Sequence, residues 1–294
     1  MGAVRIRVDS TFNEAVPAAD RIAAFAEDCL RLEVDTWPKP GLVSRVDSGS
    51  HDDMDAGTFA RSAAAIRPFF AEMARAGAAR SDMAVLRRTG VRAEHAMLAA
   101  TGGVNTHRGA IFGMGLLCAA AGRRLAGDSN ADAVRVPTLG EVVARQWGTE
   151  ILGGPRPSSS NGEVVGRRYG VGGARHEAAN GFASVYRVGV PALRKAECLR
   201  PGDATAARVH ACFALIAAVA DTNLLHRGGT AGLEFAQQTA REFLARGGVG
   251  APDWLDHAEA AHRAFVARRL SPGGAADLLA MSLFAAAFDL GSGQ

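Results

Sequence analysis

Residues Ala110-Ile111-Phe112-Gly113-Met114-Gly115-Leu116-Leu117-Cys118-Ala119-Ala120-Ala121 make three helical turns with no polar side chain on any face. A helix that is apolar all round belongs inside a protein or a membrane. At this length it rises about 18 Å, well short of the roughly 30 Å of a bilayer core. The stretch therefore predicts the centre of a helical bundle. Ala211–Ala220 and Ala275–Phe288 share the pattern. Around these three run segments that are apolar on one face only. In Ala18–Val34 the stripe is Ile22, Phe25, Ala26, Cys29 and Leu30; in Gly57–Ala76 it is Phe59, Ala63, Ile66, Phe70 and Met73. Further helices are expected near Ala84–Ala100, Gly109–Arg123, Thr138–Ile151, Ala204–Ala220, Gly232–Ala245, Pro252–Arg269 and Pro272–Leu290. Thr138 with Glu141 makes a capping box, and Ser271-Pro272 reads as an N-cap and first helical position. The stretches 122–137 and 153–166 read as loops, the second either a mobile lid or a plain surface loop. The expected architecture is all-α: a single-domain multi-helix bundle over 18–294, after an N-terminal segment 1–17. Buried central helices would flank a polar active-site cavity.

Composition agrees with this class. The chain has 294 residues, 48% of them hydrophobic, which supplies a sizeable core. Aromatics are only 6%, and Ala and Gly are abundant, which favours closely packed helices over β-sandwiches. A net charge of +3 is too mild to indicate nucleic acid, and no basic stripe carries aromatic platforms. The arginines stand in short groups beside glycines, a pattern suited to local phosphate contacts. Cys29, Cys118, Cys198 and Cys212 form no CxxC pair, so zinc is not indicated, and three of them sit in apolar helical stretches as small buried hydrophobes. The start MGAVRIRVD has no apolar signal core, and no apolar run is long enough to span a bilayer. A soluble, reduced, cytoplasmic setting is expected, with homo-oligomerisation left open.

Familiar nucleotide signatures are missing. No GxxxxGK[ST] and no GxSxG occurs, and Gly113-Met114-Gly115 is followed by Cys118 where a dinucleotide fingerprint needs Gly or Ala. His176-Glu177-Ala178-Ala179-Asn180 fails the zinc-protease pattern at Asn180. Instead, polar strings stand at the ends of the apolar helices. Lys39 lies between prolines, and Ser50, His51, Asp52 and Asp55 follow. The lysine could meet a phosphate, and Asp52 with Asp55 could hold Mg²⁺; the plain alternative is that Asp55 caps the next helix. Asn105, Thr106, His107 and Arg108 enter the first buried helix, where backbone N–H groups bind anions or are simply capped. Gly172, Gly173, Arg175 and Glu177 form a glycine-rich string, with an Arg175–Glu177 ion pair as the structural alternative. Asp221, Asn223, Arg227, Gly228 and Gly229 follow ten apolar residues, so Asp221 needs a partner, Arg227 being the obvious internal one. Ser271, Gly273, Gly274 and Asp277 open the last helix, either for phosphate or as an ordinary cap.

Six strings, PKPGLV, GSHDDMD, GVNTHRGAIF, YGVGGARHEAANGF, DTNLLHRGG and SPGGAADLLA, occur in order from residue 38 to 280. Together they resemble the triphosphoribosyl-dephospho-CoA synthase family. NTHRGAIF and DTNLLHRGG look closer to its malonate decarboxylase branch than to its citrate lyase branch. The resemblance implies an all-α transferase. Its substrates would be ATP and 3′-dephospho-CoA, its products 2′-(5″-triphosphoribosyl)-3′-dephospho-CoA and adenine. A separate transferase would then load the product onto an acyl-carrier subunit. Mg²⁺ is expected with ATP. On this resemblance the catalytic candidates are Asp52, Asp55, His107, Glu177 and Asp221, with Asp52 and Asp55 also as metal ligands. The substrate-binding candidates are Lys39, Ser50, His51, Asn105, Thr106, Arg108, Gly172, Gly173, Arg175, Asn223, Arg227, Gly228, Gly229, Ser271, Gly273, Gly274 and Asp277. A helical nucleotide phosphohydrolase is the rival of another class, and a helical interaction module without chemistry is a third.

Overall fold

The computed structural model describes residues 17–127, 135–155 and 161–290. These residues form helices and turns, with no strand among them. In chain order the helices are α1 (Ala18–Val34), α2 (Ala56–Ala78), α3 (Met83–Thr101), α4 (Arg108–Leu125), α5 (Leu139–Gly153), α6 (Asn161–Tyr169), α7 (Gly173–Ala179), α8 (Val190–Leu199), α9 (Ala204–Ala218), α10 (Thr222–Ala245), α11 (Trp254–Ala267) and α12 (Gly273–Leu290). A π-helical turn, Val185–Gly189, leads into α8.

The apolar helices occupy the middle, as their sequences require. α4 is buried along nearly its whole length, and α9 and α12 bury most of theirs. Small residues allow the helices to approach closely. A Cβ on Gly77 of α2 would overlap the backbone of Ala119 in α4, and one on Gly122 of α4 would overlap Ala74 in α2. The two helices therefore touch backbone to backbone at both points. Cys29, Cys118 and Cys212 are buried in this core, and burial pushes the Cys212 thiol up to about 12. No single helix among the described residues is long and apolar enough to cross a membrane.

The capping box forms at α5: Glu141 N–H donates to Thr138 Oγ1 at 3.2 Å, and Thr138 N–H donates to Glu141 Oε2 at 2.8 Å. Asp55 caps α2, accepting from Thr58 N–H and Thr58 Oγ1 at 2.7 Å each. Three expectations need correction. The last helix starts one residue later than Pro272, and its first amides are capped by Asp221, not by Ser271. The DTNLLHRGG string is helical from Thr222 onward, and Gly229 (φ 60°) breaks the helix where a loop was expected to end. The stretch 153–166 is helical from Asn161, while 156–160, 128–134 and 1–16 lie outside the described residues. α6, α7 and α8 are too short or too polar to have shown a sustained stripe.

Candidate functional site

The N-terminal ends of α4, α10 and α12 converge beside the C-terminal half of α1 and the loop 42–54. Between them lies a cleft enclosing about 150 Å³, lined by Glu33, His51, Asn105, Thr106, His107, Arg108, Gly109, Asn223, Arg227, Ser271, Gly273 and Asp277. Leu30, Leu42, Val43, Met54, Phe59, Ala276 and Ala280 supply its apolar parts. A second cavity of about 130 Å³ adjoins it, and Leu30, Phe59 and His107 belong to the walls of both.

Each polar group is held by identifiable partners. Arg227 crosses the mouth, where Nη1 donates to the carbonyls of Ser50 and Arg269 at 3.1 Å each, and Nη2 lies 3.2 Å from His51 Nδ1. His51 Nε2 is 2.9 Å from Ser271 Oγ. Burial and the neighbouring Arg227 hold the His51 imidazole below its usual range, so it is neutral at pH 7. Arg108, at the opposite side, donates from Nε to Glu94 at 3.0 Å. Asn105 Oδ1 accepts from Arg108 N–H at 3.2 Å. His107 is only 3% exposed, its Nδ1 2.6 Å from Ser62 Oγ and its ring edge-on to Phe59. Thr106 Oγ1 donates to the same Ser62 oxygen at 2.7 Å. Burial alone lowers the His107 pKa to about 3.

The acidic side of the cleft is built differently. Glu33 comes from α1 and is paired with the fully buried Lys39 ammonium. Asp277 accepts no hydrogen bond from the described residues, and its carboxylate rests against Gly109, where any Cβ would collide with it. Burial, with the like charges of Glu33 and Asp221, pushes the Asp277 carboxyl well up. Asp221 stands behind this wall. It accepts from Asn223 N–H at 2.8 Å and Leu224 N–H at 3.4 Å at the start of α10, and from Ala275 N–H at 2.9 Å at the start of α12. Both helix ends thus already face an anion, the side chain of Asp221. Burial nevertheless raises its carboxyl.

The chain matches the CitG family model, described as ATP:dephospho-CoA triphosphoribosyl transferase, over residues 19–294. The chain belongs to this transferase family. It is 39% identical over 287 residues to the 2-(5″-triphosphoribosyl)-3′-dephosphocoenzyme-A synthase of Klebsiella pneumoniae, covering 94% of this chain and 93% of the relative. It is 37% identical to a relative from Acinetobacter calcoaceticus, covering 94% of each chain. Identity reaches 42% with one from Pseudomonas paraeruginosa strain PA7, covering 92% of each. Both of these are described as probable synthases of the same kind. No solved structure matches the chain.

Seen in this transferase, five of the six polar strings send residues into the cleft; only YGVGGARHEAANGF sends none. Arg175 caps the C-terminal end of α5, donating to the carbonyls of Pro155 at 2.7 Å and of Leu152 and Gly154 at 3.0 Å each, and also to Ile151. Glu177 accepts from Ser184 N–H at 2.6 Å and Ser184 Oγ at 3.0 Å. The two bind different helix ends and do not pair. Gly172 and Gly173 cap and open α7, and Gly228 and Gly229 adjust α10 against Leu270 and Tyr169. Ser50 ties its loop to the Leu270 carbonyl at 2.7 Å. Lys39 does not reach the cleft and acts on it through Glu33; its own carbonyl is held by His262 Nδ1 at 2.6 Å. The expected Asp221–Arg227 pair is replaced by backbone partners on both sides. Gly274 contributes to the Asp221 cradle.

Asp52 and Asp55, the expected metal ligands, have protein partners of their own. Asp52 is exposed and bound to Arg269, while Asp55 is committed to Thr58. No group of three His, Cys, Asp or Glu among the described residues is arranged to hold a metal. The residue that sequence reading missed is Glu33. Its signal was its register: it lies three after Leu30 and four after Cys29, on the apolar stripe of α1, where a carboxylate requires a buried partner.

Proposed function

We propose that this transferase joins the ribose of ATP to the 2′-hydroxyl of 3′-dephospho-CoA at the cleft, releasing adenine and keeping all three phosphates. The observation that carries the reading is the convergence of five separate sequence strings on one cleft, cationic at its rim and anionic within. Arg227 and Arg108 stand where a polyphosphate lies across the mouth. The guanidinium of Arg227 is already oriented by two carbonyls, so little freedom is lost on binding. The enclosed volume suits the reacting sugar, with the phosphate and pantetheine tails outside. Glycosyl transfer develops positive charge at the ribose carbon, and carboxylates facing that carbon stabilise it. Neutral His107 and His51 offer ring nitrogens for hydrogen bonding at neutral pH, not charge. Mg²⁺ enters as Mg–ATP, coordinated chiefly by the substrate's own phosphates.

The client is the malonate decarboxylase acyl-carrier subunit, loaded by a separate transferase in a cytoplasmic pathway. NTHRGAIF and DTNLLHRGG support this choice over citrate lyase. Incubation with Mg–ATP and 3′-dephospho-CoA should release one adenine per product, whose mass retains the triphosphate. Liberation of phosphate or pyrophosphate with the nucleoside intact would favour a phosphohydrolase instead. Deletion of the gene should abolish growth on malonate; loss of citrate cleavage alone would reassign the client.

A further inference from the structure

The two carboxylates that line the cleft have opposite surroundings. Glu33 has a counter-ion that cannot leave: Lys39 is wholly buried, and its loop is anchored through its carbonyl by His262 Nδ1, whose Nε2 is 3.1 Å from Asp47 Oδ2. Asp277 has neither counter-ion nor hydrogen-bond donor among the described residues. A third group faces the same space. His107 Nδ1 lies 2.6 Å from Ser62 Oγ, which also accepts from Thr106 Oγ1 at 2.7 Å. The other ring nitrogen, Nε2, has no hydrogen-bond partner among the described residues, and the ring forms part of the cleft wall.

Building on the transferase reading above, we propose that Glu33 and Asp277 divide the chemistry, Glu33 facing the ribose carbon as a fixed anion and Asp277 carrying the proton. Asp277 gives its proton to a ring nitrogen of adenine as the C1′–N9 bond breaks, and the bonding pair leaves with the base. The 2′-hydroxyl of dephospho-CoA then bonds to C1′ and returns its proton to Asp277. Adenine departs neutral, and the enzyme is restored with no further reactant. Lys39 is a positioning residue that holds the Glu33 side chain in place. The elevated carboxyl of Asp277 suits this role, because pairs of carboxyls with divergent environments divide into donor and permanent anion. The groups setting that environment are Glu33 on α1, Asp221 at the head of α10, and Arg108 and His107 at the head of α4, with Arg227 and His51 at the mouth.

The test uses N7-methyl-ATP, whose cationic base leaves without being protonated. Asp277→Asn should reduce kcat on ATP about 100-fold or more, and on N7-methyl-ATP less than about tenfold. Glu33→Gln should lose about 100-fold on both. Equal losses by Asp277→Asn on the two nucleotides, or a Glu33→Gln rate within about twofold of wild type, would overturn the assignment. Wild-type enzyme gives the same answer without substitution. With ATP, kcat should fall on the alkaline side as Asp277 loses its proton, and with N7-methyl-ATP that limb should vanish; an identical limb with both substrates contradicts the proposal. If wild-type enzyme releases no adenine from ATP at all, it is the transferase reading that fails.

Discussion

Replacing Asp221 with alanine should unfasten two helices at once. α9 and α10 meet at a 60° bend just before this residue, and one carboxylate caps both α10 and α12. Losing a capping side chain costs about 0.5–2 kcal/mol per helix end, so two ends give a gross loss of about 1–4 kcal/mol. The substitution also removes a buried carboxylate whose desolvation disfavours its charge, which offsets part of that loss. The expected net destabilisation of Asp221→Ala is therefore about 1–3 kcal/mol at pH 7. Asp221→Asn keeps one acceptor oxygen and should lose about half as much. Urea unfolding followed by circular dichroism reads both values. An Asp221→Ala midpoint equal to wild type, or an asparagine variant less stable than the alanine one, would refute the shared-cap reasoning.

Other consequences are as specific. Arg227→Ala should raise KM for ATP about tenfold or more with the fold intact, since charge-assisted bonds contribute about 1.5–3 kcal/mol; unchanged steady-state affinity contradicts the clamp. Arg175→Ala should cost about 1–2 kcal/mol of stability through the open end of α5, while kcat and KM for both substrates stay at wild-type values. His107 is held near pKa 3 in the folded chain against about 6.5 when unfolded. The unfolded chain therefore binds more protons as pH falls below 6.5, and stability is lost across that window. Between pH 7 and 4.5 this residue should account for about 2–3 kcal/mol, read as a weaker pH dependence of unfolding in His107→Asn. An equally steep dependence in that variant would show that His107 is not the group responsible.

The fold was legible because three of its helices have no polar face. For Ala110–Ala121 no arrangement other than burial satisfies the chain, and the surrounding stripes then have one core to face. α6 to α8 escaped because each has no more than ten residues, too few turns for an apolar stripe to repeat. The strings at the helix ends were recognisable as sites of polar demand, but not which way each demand is met. Arg175 and Asp221 look like ligand-binding groups in the sequence because an exposed helix end asks for the same partner as a substrate does. In the structure the helix ends took both side chains. Glu33 was overlooked for the converse reason: it sits within a regular helix, and its partner Lys39 is a loop residue whose burial no local pattern announces.

Photolabelling with 8-azido-ATP, followed by peptide mapping, asks directly whether nucleotide occupies this cleft. Label that unmodified ATP displaces should fall within residues 51–59, 105–109, 223–227 and 271–277. Displaceable label concentrated instead on α6 and α7, around Gly172 and Arg175, would place the nucleotide elsewhere on the bundle.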